Sequence, residues 1–135
     1  MGVHRMLKPI RAYYPEGSIV SGQLTVKASG AVTSWKGFGV TSVTKESTAG
    51  KYTFVLDDPH GYLVGSSVVQ VASSAADITF QILSEDVDNA TAASRTIVLQ
   101  CKAAAVATDV ASGSVLLVTF LFADSKALGF GPART

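Results

Sequence analysis

The chain has 135 residues, 47% of them hydrophobic and 16% charged, with a formal net charge of +1 and one cysteine, Cys101. That length gives a single domain able to bury a core without metal or cross-links, and a lone cysteine excludes an internal disulfide. No run approaches the roughly 18 apolar residues of a membrane span, no signal-peptide pattern opens the chain, and Met6 breaks the myristoylation pattern begun at Gly2.

Residues 1–16 carry Arg5, Lys8 and Arg11 with no helical or alternating period, and Pro9 and Pro15 interrupt any helix. They read as an extended N-terminal arm with apolar anchors at Leu7, Ile10, Tyr13 and Tyr14, suited to docking on a neighbour. Three cations make a weak nucleic-acid footprint. Residues 17–124 read as the β domain. Ile19 to Ala28 alternates, with Leu24 and Val26 on one face, and Ser29-Gly30 turns it. Ala31 to Lys36 leads on, with Trp35 as a rim or interface anchor or as filling for its own core.

The organising stretch is Lys36 to Asp58, expected as one hairpin. Phe38, Val40 and Ser42 alternate on its first arm, and Tyr52, Phe54 and Leu56 on its second. Ser47-Thr48-Ala49-Gly50 closes the turn, Gly50 supplying a positive φ, and Pro59 stops the second arm. Tyr62-Leu63-Val64 leads out of a loop into a strand at Ser66 to Ala72, and Ala75-Ala76 turns. Asp77 to Leu83 is a strand with Ile78, Phe80 and Ile82 on one face. Ser84 to Ala93 is an acidic loop. Arg95 to Lys102 is a strand with Ile97, Leu99 and Cys101 on one face. Ala103 to Ser112 is a small-residue loop. Ser114 to Phe122 is nearly all apolar, as in a strand covered on both faces. Residues 125–135 form an extended C-terminal tail containing Phe130. The result is an all-β antiparallel sandwich or small β-barrel of about six to eight strands with extended arms at both ends.

Little in the chain is chemical. Asp57-Asp58-Pro59-His60 sets two carboxylates beside one of only two histidines, but neighbours on a strand point to opposite faces, so the segment reads as a turn. Glu85, Asp86 and Asp88 lack the spacing and closing Glu of a calcium loop and read as a solvated loop. Cys101 lies in an alternating apolar run and reads as a buried, inert thiol. Nucleophile-elbow, phosphate-loop and paired-cysteine motifs are missing, so no catalytic residue, cofactor or metal is expected. Charge is uneven: residues 1–51 sum to +5, residues 52–124 to −6 and the tail from Ser125 to +2. Such polarity suits copies that pack a basic arm on an acidic neighbour.

The order of residues carries a resemblance. Gly37-Phe38-Gly39-Val40, Gly50-Lys51-Tyr52, Leu56-Asp57, Thr108-Asp109-Val110-Ala111-Ser112-Gly113 and the apolar Val115 to Phe122 resemble a family of small tailed-bacteriophage virion proteins, over roughly residues 36–125. The resemblance implies a capsid decoration, or cement, protein that binds the outer surface of the major capsid protein shell and bridges its subunits. It implies a homo-trimer or other homo-oligomer in the virion, assembled in the host cytoplasm, with no nucleic-acid or membrane partner and no catalytic residues. On that reading Arg5, Leu7, Ile10, Arg11, Tyr13, Tyr14, Trp35 and Phe130 are the candidate contacts to the shell or to sister copies. The alternative is a head- or tail-fibre component, or a receptor- or glycan-binding β module of the virion.

Overall fold

The computed structural model describes residues 17–73 and 77–123. The expected contacts in the arms (Arg5, Leu7, Ile10, Arg11, Tyr13, Tyr14 and Phe130) and the turn at Ala75-Ala76 lie outside the described residues.

Nine strands are present among the described residues: β1 (Gly17–Val26), β2 (Val32–Phe38), β3 (Val40–Lys45), β4 (Lys51–Leu56), β5 (Tyr62–Val71), β6 (Ile78–Glu85), β7 (Thr96–Ala103), β8 (Val106–Ala107) and β9 (Val115–Ala123). They form two antiparallel sheets packed face to face, a β-sandwich rather than a barrel. The first runs β2-β1-β9-β5 and the second β3-β4-β7-β6, with the short β8 paired to β7. The alternating patterns read from the sequence set the inner faces. Leu24 and Val26, then Tyr52, Phe54 and Leu56, then Ile97, Leu99 and Cys101 are all buried, while Ile78, Phe80 and Ile82 pack half-buried against them. Phe54 meets Phe120 edge-on at 5.4 Å between ring centres. Fully burying such a ring contributes about 1.5–3 kcal/mol.

The structure corrects the expected hairpin. Its second arm, its turn and its end at Leu56 stand as read, but its first arm is two strands. Phe38 closes β2 in the first sheet and Val40 opens β3 in the second. Gly39, at φ +84°, turns the chain from one sheet to the other, in a conformation a side chain would strain. The register then slips between Val40 and Ser42, a bulge at Thr41. The bulge flips the alternation, so Val40 is buried and Ser42 exposed rather than both sharing a face. Phe38, expected beside Val40, is 60% exposed on the far side of the first sheet.

Three further expectations change. Ala31 to Lys36 is not a lead-in but most of β2, paired with β1. Tyr62 to Val64 and Ser66 to Ala72 fuse into one strand with a register shift between Leu63 and Gly65. The Ala-rich loop holds a hairpin, in which Ala103 pairs with Val106 across Ala104 and Ala105, both at positive φ.

Candidate interaction surface

The apolar strand β9 was expected to be covered on both faces; it is covered on one. It lies between β1 and β5, and its inward residues Leu116, Val118, Phe120 and Phe122 are buried. Its outward residues run in register with those of its neighbours. Thr25, Val115 and Val71 form one row, Gln23, Leu117 and Val69 the next, then Ser21, Thr119 and Ser67, then Ile19, Leu121 and Gly65. Phe38 and Lys36 extend two of these rows onto β2. The register therefore makes the outer face of the first sheet apolar chiefly along β9 and β5, where Val115, Leu117, Leu121, Val69 and Val71 stand, with Thr25, Gln23 and Ser21 on β1 and Ser34 on β2 as uncharged polar neighbours and Lys36 its one charged residue. Of the nine large hydrophobic residues exposed among the described residues, seven belong to this sheet, Ile19, Phe38, Tyr62, Val64, Val69, Val71 and Leu117, and only Leu83 and Val106 to the other. Scattered exposed apolar groups are ordinary, but a contiguous apolar field depleted of charge is the composition of a contact surface.

The second sheet shows the opposite. Its outward register reads Ser42, Thr44, Thr53, Val55, Lys51, Thr96, Val98, Gln100, Lys102, Thr79 and Gln81. Apart from Gln100, which is buried and donates to the Ala49 and Cys101 carbonyls, this hydroxyl-bearing face with Lys51 and Lys102 is at ease in water. The asymmetry singles out the first sheet.

The chain enters and leaves at one end of that sheet, because Gly17 pairs with Ala123. The loops beside them are acidic. Asp57 and Asp58 follow β4; Glu85 ends β6, and Asp86 and Asp88 follow it. The two loops are joined by the His60 N–H donating to the Val87 carbonyl at 2.8 Å. Arg95 ties the same loops from below, donating to the carbonyls of Asp57 at 2.7 Å and Ala90 at 3.1 Å.

Trp35 points inward, half-buried, with its ring edge-on to Phe54 at 5.6 Å. It has room because Gly22 and Gly37 face each other beneath it; a Cβ at Gly22 would lie 2.6 Å from the indole. Its side chain thus packs against its own core.

The residues with chemical potential are engaged structurally. His60 stacks on Phe122 at 4.0 Å and 9°, and its Nδ1 lies 3.1 Å from the Ser18 hydroxyl. Asp57 accepts from the Thr41 hydroxyl at 2.6 Å. The acidic loop organises itself: Asn89 donates to Asp86 at 2.9 Å, the Thr91 N–H to Asn89 at 2.8 Å, and the Val87 N–H to Glu85 at 3.3 Å. No three of His, Cys, Asp and Glu converge as a metal site among the described residues. Cys101 is buried, and burial, with Asp109 nearby, pushes its thiol up to about 11, away from the nucleophilic thiolate. A cleft of about 340 Å³ opens between the edges of β5 and β6, but its polar side chains are only Ser66 and Thr79, beside Val68, Phe80 and Ile82.

Two residues here escaped sequence reading. Val87 is wholly buried although it sits among acids, and Arg95 is buried although it is charged. A single large apolar residue inside an acidic loop was the available signal for the first. For the second there was none, since its partners are backbone carbonyls. No helix among the described residues is long and apolar enough to cross a membrane. Compared with known families, curated proteins and solved structures, the chain matches none.

Proposed function

We propose that this protein is a structural component of a bacteriophage virion, a decoration protein that holds to the major capsid protein shell and to sister copies rather than turning over a substrate. The observation that carries the reading is the charge-poor apolar outer face of the first sheet, presented beside the end where the chain enters and leaves. A scaffold of this kind offers one broad face and two ends for contact, while His60, Asp57, Glu85 and Asp86 are engaged within its own fold. The resemblance in residues 36–125 supplies the virion, and the arm residues Arg5, Leu7, Ile10, Arg11, Tyr13 and Tyr14 supply aromatic and cationic groups suited to a shell. Many weak contacts repeated over a symmetric lattice would add by avidity.

The test is co-sedimentation with purified, expanded phage shells built of a major capsid protein from the same source as this chain. The full chain should saturate the shells and raise the temperature at which they rupture. The chain beginning at Gly17 should keep its fold and lose most of that occupancy. Unchanged occupancy on truncation removes the N-terminal arm from the reading, and no binding by the full chain overturns it.

A further inference from the structure

We propose that the outer face of the first sheet is the seat of a second copy of this chain, the same face of each copy meeting the other. The inference rests on the reading of this face as a contact surface and names its occupant. Three observations favour a copy over any other partner. The face is self-compatible: its one charged residue is Lys36, at the β2 edge, so two copies bring no field of like charge together. A charged partner would find almost nothing there to pair with. Its size also suits a pair. Four strands about 4.8 Å apart and nine residues rising about 3.3 Å each give a footprint of about 570 Å², so two faces bury about 1,100 Å², just above what a specific interface needs. Its relief suits a pair as well. Leu117 and Val69 stand in one row and Val115 and Val71 in the next, and branched side chains on a pleated surface interdigitate with a second sheet about 10 Å away. The face of one copy would thus become the inner layer of a second sandwich, the Ser21-Thr119-Ser67 row keeping its hydroxyls within reach of each other across it.

Pairing through this face leaves the polar face of the second sheet in water and the acidic end free at the rim. An interface of this modest size predicts a reversible dimer, concentration-dependent in the micromolar range.

Sedimentation equilibrium of the full chain without shells tests the pairing separately from the virion reading. The expected result is a mass twice the 14.0 kDa of one chain, dissociating on dilution. Leu117→Glu and, independently, Val69→Glu should each raise the dissociation constant at least tenfold and return the mass to one chain, with the far-ultraviolet circular dichroism of the parent. Gln81→Glu, on the outer face of the second sheet, should leave the dimer intact. Val69 lies on an edge strand and is about half exposed, so its variant folds even where that of Leu117 on the central strand does not. A chain still monomeric at roughly 100 μM, well above the micromolar range expected of a weak interface, overturns the proposal. So does an oligomer of any size whose mass is unmoved by Val69→Glu. Shell binding by a strictly monomeric chain would leave the virion reading standing and end this one; a dimer that ignores shells would do the reverse.

Discussion

The Asp109 carboxylate accepts the backbone N–H of Gly50 at 2.8 Å, across 59 positions of sequence. Lys45 reaches the same oxygen at 3.2 Å and also donates to the carbonyls of Glu46 and Thr48, so the β3–β4 turn is latched to the loop before β9. Gly50 is at φ +68°, and a side chain there would run into the Thr108 carbonyl. Two segments that the sequence offers only as separate motifs, Gly50-Lys51-Tyr52 and the Thr108 to Gly113 run, are one junction. Asp109→Ala leaves the Gly50 N–H without its acceptor and should cost about 2 kcal/mol, the range for a hydrogen bond to a charged group. Asp109→Asn, which keeps an acceptor oxygen, should cost less than half of that. Denaturant midpoints at constant slope measure both.

Ala104 and Ala105 turn the β7–β8 hairpin with φ of 50° and 67°. Two consecutive left-handed residues are the signature of a type I′ turn, where alanine is strained by about 1 kcal/mol per residue. Replacing the pair with Asn-Gly should therefore stabilise the protein by about 1–2 kcal/mol, read as a higher denaturant midpoint. A neutral or destabilising result would show that the alanines are held for contacts rather than for the turn.

How much of this was legible beforehand depended on range. Local alternation marked the inner faces of β4, β6 and β7, because burial of one sheet face imposes a period of two. It failed where the chain changes partner. Lys36 to Ser42 alternates smoothly in sequence, yet Gly39 and the bulge at Thr41 divide it between two sheets, and only long-range pairing to β1 on one side and β4 on the other reveals the break. The composition of β9 signalled burial but not its sidedness: a strand apolar on both faces reads the same whether its outer face is covered by its own chain or exposed for another. The exposed apolar face was thus visible as hydrophobicity but read as core.

Tyr52 and Cys101 give the fold an alkaline limit. The Tyr52 hydroxyl donates to the Gly30 carbonyl at 2.6 Å within the core. Burial, reinforced by Asp109 and Cys101, holds its ionisation well above the usual phenol range, and Cys101 is pushed up to about 11. Both groups release their protons more readily unfolded than folded. Their contribution to stability is therefore whole below about pH 9, the ordinary thiol range, and is lost as pH rises toward and beyond 11. Tm should fall steadily across that window. Tyr52→Phe should be less stable at neutral pH, having lost the bond to Gly30, yet show a shallower alkaline decline. An alkaline slope unchanged by Tyr52→Phe would assign the decline to other groups.

The same burial predicts a silent thiol. Cys101, about 1% exposed, should resist a disulfide reagent such as Ellman's in the native protein and react fully in denaturant. Prompt stoichiometric reaction of the folded chain would mean that β7 opens locally at its end, where Cys101 donates its N–H to Gly50 and accepts from Thr108.

Trp35 and the glycine pair beneath it form the last point of leverage. The indole lies over Gly22 and Gly37, two strand positions where any side chain would occupy the space the ring now fills. Glycine inside paired strands is otherwise a weakness; here it answers to the ring and to the close backbone together, since a Cβ at Gly22 would also lie 2.6 Å from the Lys36 carbonyl oxygen and one at Gly37 would run into that of Ser21. Gly22→Ala should lift Trp35 from its edge-on contact with Phe54 and destabilise the fold by about 1–3 kcal/mol, the usual cost of overpacking. Trp35→Leu should lose aromatic packing and remove the ring's share of the crowding but not that of the Lys36 carbonyl, so Gly22→Ala in that background should cost less than in the parent without becoming neutral. Tryptophan fluorescence adds an independent readout in Gly22→Ala, since a displaced indole gains water and shifts its emission to the red. Equal costs in the two backgrounds, with the emission unmoved, would place the demand for glycine in the backbone rather than under the ring.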